Sequence, residues 1–89
     1  MNARSTLVKK LDEIINLERN TQIETLGSYI VGELLGDYDN LYIELNETNP
    51  IAQRIGDLAS DLEVANGSEI ELSAMWNEIK QLTEELRRS

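Results

Sequence analysis

Ser68-Glu69-Ile70-Glu71-Leu72-Ser73-Ala74-Met75-Trp76-Asn77-Glu78-Ile79-Lys80-Gln81-Leu82-Thr83-Glu84-Glu85-Leu86-Arg87-Arg88 is the stretch that dictates what the rest of the chain must do. It opens on a capping box. The Ser68 hydroxyl can accept from the amide of Glu71, and Glu71 can reach back to the amide of Ser68. Leu72, Met75, Trp76, Ile79, Leu82 and Leu86 then recur at helical spacing and fall on one stripe. Glu69 and Glu71 stand at the positive end of the helix dipole, Arg87 and Arg88 at the negative end. A helix of this length spans about 30 Å. It cannot bury its own stripe, so the other segments must cover it.

Working back from Ser68, each segment offers such a cover. Asn49-Pro50 opens a helix with Asn49 as N-cap and Pro50 in the first turn, where a missing amide costs nothing. Ile51, Ile55, Leu58, Leu62 and Ala65 supply its stripe, and Asn66-Gly67 ends it, with Gly67 expected in the left-handed conformation. Only Gly67 and Ser68 separate it from the last helix, so the two should pack as antiparallel neighbours. Thr21-Gln22-Ile23-Glu24 reads as a second capping box, followed by Ile23, Leu26, Ile30 and Leu34 with Val31 and Leu35 beside them. Gly27 and Gly32 each cost that helix about 1 kcal/mol against Ala. Close approach of a neighbouring helix would explain them. Gly36 is a natural stop. Leu7, Val8, Leu11, Ile14 and Ile15 define a first helix from roughly Ser5 to Glu18, flanked by Asn16 and Asn20. The stretch from Asp37 to Asn49 is ambiguous. Leu41, Ile43 and Leu45 alternate like a strand, but a lone strand has nothing to pair with, so a short helix or turn is expected there. The sum is an all-α chain, a small four-helix bundle with a short extra turn before Pro50, folding as one domain over residues 1–89.

Composition narrows the chemistry. The 89 residues include no Cys, His or Phe. Disulfides, thiolate nucleophiles, the usual zinc sites and Ser-His-Asp chemistry are thereby excluded. Carboxylate pairs abound, but acid–base catalysis needs two carboxylates in contrasting environments, and these all read as exposed. Asp37-Tyr38-Asp39-Asn40 begins like a calcium loop and lacks the glycine at its sixth position. No enzyme, cofactor or metal is expected. No apolar run reaches signal-peptide or transmembrane length, so a soluble, cytoplasmic protein is expected.

Charge is more informative. Seventeen acids face eight bases, a net charge of −9. Residues 20–79 hold twelve acids and one base, Arg54, while residues 1–19 and 80–89 each carry a net +1. Such a surface disfavours nucleic acid and anionic membranes, whose binding depends on Lys and Arg. It suits a basic protein partner, and it also serves solubility. Within the acidic middle, Tyr38 and Tyr42 stand among Asp37, Asp39 and Glu44. Tyr combines apolar area with a polar tip and is favoured at interface centres, with acids suited to Arg or Lys opposite. These five residues form the first candidate contact. Asp57 and Asp61, on one line of the third helix with Val64, form the second, partly offset by Arg54.

A short acidic all-helical chain with Asp37, Tyr38, Asp39 and Tyr42 in its middle, and a last helix opening Glu69-Ile70-Glu71-Leu72, resembles the bacterial immunity proteins of colicin-like nuclease toxins. Those opposing tRNA-cleaving toxins are nearest in style. The resemblance is one of pattern over most of the chain, and no motif carries a residue's role across. It implies an inhibitor whose carboxylates stand in for phosphates at a basic nuclease site. Two other functions suit the same charge. One is a phage or mobile-element anti-defence protein that mimics nucleic acid toward a nucleic-acid-binding effector. The other is a self-associating adaptor, for which a homodimer is expected.

Overall fold

A computed structural model of the chain describes residues 3–35, 48–65 and 67–88. It is all-α: α1 (Ala3–Ile15), α2 (Ile23–Leu35), α3 (Pro50–Glu63) and α4 (Glu69–Arg88), with no strand among the described residues. The extra turn expected before Pro50 falls in 36–47, outside them.

Local chemistry sets most of the helix boundaries. Asn49 caps α3 as its sequence demands. Its Oδ1 accepts from the amides of Ile51 at 2.9 Å and Ala52 at 3.2 Å, with Pro50 in the first turn. Ser68 caps α4 more loosely, its hydroxyl accepting from the amide of Glu71 at 3.3 Å. Helix α1 gives way after Ile15 to a tighter turn, in which the amides of Leu17, Glu18 and Asn20 each reach the carbonyl three residues back. This carries the chain to α2 without a break. Two expectations need correction. The first i→i+4 bond of α2 runs from Leu26 to the carbonyl of Gln22, so the cap position is Gln22, one residue after Thr21. Gly67 is not left-handed, and no described glycine has a positive φ. Helix α3 instead closes at Val64, whose φ of −106° and ψ of 6° turn the chain in a conformation open to any residue.

Around the bundle α1 touches α2, α2 touches α3, α3 touches α4, and α4 returns to α1. Helices α2 and α4 also meet across one diagonal, whereas α1 and α3 lie apart on the other. The core is aliphatic. Leu7, Leu11, Leu26, Ile30, Ile55, Leu62, Ile79 and Leu86 are fully buried, and Trp76 is the one aromatic among the buried residues. Met75 and Leu82 of the α4 stripe pack against it from the edge. Thr83 is buried in that stripe, its hydroxyl satisfied by donating to the carbonyl of Ile79 at 2.8 Å. The radius of gyration is 12.1 Å, as expected for a compact chain of this length at about 12 Å.

The tightest approach is α2 on α3. A Cβ added at Gly27 would stand 2.7 Å from Cβ of Leu62 and 3.1 Å from the carbonyl oxygen of Ala59. Backbone and a Cβ fixed directly to it cannot move aside cheaply, so Gly27 is there to let the helices touch. Gly32, expected to play the same part, meets nothing within 4 Å.

The two glycines therefore respond oppositely to alanine. Gly27→Ala should destabilise by about 1–3 kcal/mol through overpacking. Gly32→Ala should stabilise by up to about 1 kcal/mol through helix propensity alone. Urea unfolding followed by Trp76 fluorescence measures both. The caps differ too: Asn49→Ala should cost about 1 kcal/mol or more, and Ser68→Ala, which loses one long exposed bond, clearly less in the same assay.

Candidate protein-binding surface

Asp57 and Asp61 sit one turn apart on α3, about 6 Å along its axis. The buried side of that helix is Ala52, Ile55, Leu58, Ala59 and Leu62. Asp57 and Asp61 fall on the opposite side and are exposed, as are Glu63 and Val64 beyond them. Arg54 lies on the same side, close enough that both aspartates favour its charge. Its Nε is nonetheless committed elsewhere, donating to Oε2 of Glu78 on α4 at 2.9 Å. That hydrogen bond is the main reason its guanidinium holds its proton more firmly than usual. Arg54 thus partly offsets both aspartates, and the exposed Glu63 lies further round the helix. Asp37, Tyr38, Asp39, Tyr42 and Glu44, the first candidate group, lie outside the described residues. The structure therefore brings Asp57 and Asp61 together and says nothing of the other five.

The bases are gathered at the far edge. Arg4 donates to the carbonyl of Leu86 at 3.2 Å. Arg87 forks onto Asp12, with 2.8 and 2.7 Å to its two carboxylate oxygens, and also reaches Glu84 at 3.0 Å. These contacts lay α1 antiparallel along α4. Residues 3–19 and 80–88, the described parts of the two net-positive segments, therefore come side by side, although they are far apart in the sequence. Because α1 and α3 lie apart on one diagonal, the outward face of α3 is turned from these bases. A sequence in three charge blocks becomes a molecule with a mixed edge and an acidic edge.

Where the two ends meet there is a contact that sequence reasoning missed. The indole of Trp76, 3 % exposed, donates to Oε2 of Glu18 at 2.7 Å, and Nζ of Lys80 reaches the same oxygen at 3.2 Å. The stripe that made Trp76 a core residue contained no hint of its polar partner, 58 residues away. A buried indole N–H needs an acceptor, and that need was the one available signal. The Trp76 hydrogen bond, helped by Lys80, holds the Glu18 carboxyl below its ordinary value.

Among the described residues no group of carboxylates converges as a metal would require, and no helix is long and apolar enough to cross a membrane. Comparison with known proteins found no matching family model, no matching curated protein and no matching solved structure.

Glu18 generates a pH prediction. Its folded pKa is depressed, so its contribution to stability is full above the ordinary value of 4.5 and is lost as pH falls through the folded value. Glu18→Gln should therefore destabilise at neutral pH, and the gap to the parent should close in acid below about pH 4.5. Unfolding midpoints of both proteins between neutral pH and pH 3, read from Trp76 emission, measure that gap.

Proposed function

We propose that this protein is an acidic inhibitor of the immunity or antitoxin kind, which binds and neutralises a basic nuclease. Support comes chiefly from the separation of charge across the bundle. Arg4, Arg54, Lys80 and Arg87 are each tied to an acceptor within the fold. Asp57 and Asp61 project on the outward face of α3, away from the α1–α4 edge, and Glu63 is exposed further round the helix. A row of carboxylates on a rigid helix can take the place of successive phosphates before Lys and Arg side chains. Such charges steer encounter, and the pairs that become desolvated hold the complex. The same row weighs against direct binding of nucleic acid or anionic membrane. Asp37, Tyr38, Asp39, Tyr42 and Glu44, between α2 and α3 in the chain, are proposed to extend the contact, their rings supplying the apolar area that carboxylates lack.

Capture from the native host, at low and high salt, tests this reading. The expected partner is a basic nuclease whose activity falls when the chain is added. Capture should weaken between 0.1 and 1 M salt, as the Debye length falls from about 10 to about 3 Å. Asp57→Lys with Asp61→Lys should slow association about tenfold or more with helicity unchanged. Asp37→Lys with Asp39→Lys should act in the same direction. Partners that are neutral or acidic, or binding indifferent to salt and to both reversals, would overturn it. If the captured protein is a host defence factor that binds nucleic acid, the mimicry serves anti-defence instead. A stable dimer in solution with no partner would favour a self-associating adaptor.

A further inference from the structure

The first turns of α2 and α4 converge where those helices meet across the bundle. Between them lies a hollow of about 260 Å³, lined by Thr21, Gln22, Ile23, Glu24, Glu69 and Leu72. That volume falls just below the range of about 300–1,000 Å³ typical of small-molecule sites and suits a single side chain better than a cofactor. Its lining has two chemistries. Ile23, at the edge of the core, and Leu72, buried in it, give the hollow an aliphatic side. Glu24 of α2 and Glu69 of α4 each contribute an acidic residue to it. Glu71, two residues on, does not join them: its Oε2 is folded over Gly67, 2.6 Å from where a Cβ there would stand.

The charge of the hollow is negative even after the helix ends are counted. Each helix N-terminus contributes about +0.5 and each carboxylate a full negative charge, leaving about −1. The lining itself holds no base; Arg19, two residues before Thr21, is the nearest in the chain, and its charge acts on Glu18.

We infer that this hollow receives an arginine side chain of the basic partner. Its aliphatic stem would lie on Ile23 and Leu72, and its guanidinium would bridge Glu24 and Glu69. Arginine suits both halves: its stem covers apolar surface while its head stays polar. Its planar fork reaches two carboxylates in a way the point charge of lysine does not. A metal ion is a poorer fit, since half of the lining is hydrocarbon and a hard cation needs six or more oxygens. The inference rests on the reading of the protein as a binder of basic proteins, and it adds an anchoring pocket distinct from the Asp57–Asp61 row.

An NMR titration of the ¹⁵N-labelled protein tests it. The probe is the blocked tripeptide acetyl-Gly-Arg-Gly-amide, with its citrulline counterpart as the uncharged isostere. Amide shifts should gather at residues 21–24 and 69–72, and the arginine peptide should bind about tenfold more tightly than the citrulline one, the worth of one charge-assisted bond. Glu24→Gln with Glu69→Gln should remove that preference, and Asp57→Asn with Asp61→Asn should keep it. Equal binding of the two peptides, shifts spread along α3 with the hollow silent, or no shift at all would overturn the pocket and leave the acidic edge standing. A filled hollow together with a native partner that is neutral or acidic would support the pocket and sink the proposed function instead.

Discussion

The contact of α2 with α3 at Gly27 limits everything packed around it. Helices with side chains at their crossing normally lie 8–10 Å apart. At this crossing one helix presents no side chain, and the partner presents Ala59 and the Cβ of Leu62. The close fit draws Leu26 and Ile30 onto Ile55 and Leu62 in one cluster with Leu7 and Leu11. A core without Phe has only aliphatic volume to work with, so its density comes from bringing backbones together. A methyl group at position 27 would wedge that layer open. The same methyl at position 32 would meet only open space.

Polar contacts are distributed unevenly over the bundle. The α1–α4 edge carries the Arg87 fork, the Arg4 bond to a helix-end carbonyl and the Glu18 carboxylate shared by Trp76 and Lys80. These groups fix direction and register more than they add stability, because most of them face solvent. They also engage bases that would otherwise be available to neutralise acids elsewhere on the surface. On α3 the only base, Arg54, is drawn across to Glu78. Structural and electrostatic demands are thus met by one arrangement. Four of the eight cations are tied to acceptors within the fold, and Asp57 and Asp61 of α3 face outward.

Much of the fold was legible in the sequence, and the reasons are local. Asn49-Pro50 contains its own geometry: an acceptor for the first amides, then a residue with none to offer. The α3 and α4 stripes predict their buried faces because a 3.6-residue period depends on nothing outside the helix. What depends on tertiary neighbours was not legible. Gly27 and Gly32 look alike in the chain, and only the position of α3 tells them apart. Gly67 follows a helix as a left-handed glycine would, yet Val64 had already turned the chain. Thr83, which the apolar stripe does not include, is buried, since a threonine can satisfy its hydroxyl on its own helix. Of the candidate site, the exposure of Asp57 and Asp61 followed from α3's period. Glu24 and Glu69, 45 positions apart, share a hollow because of how α2 and α4 cross, which no spacing rule anticipates.

The α1–α4 seam has a kinetic consequence. Helices α3 and α4 are joined by a few residues, and the loop entropy of bringing them together is small. The seam joins groups 58 to 82 positions apart, so it must close most of the chain before it is rewarded. Contacts of that kind are expected to form late, once contacts between segments closer in sequence have shortened the loop to be closed. Weakening them accelerates escape from the folded state more than it slows arrival. The lifetime of the assembled bundle is therefore held at the α1–α4 edge, and substitutions on the outward face of α3 leave the contacts of that clasp untouched.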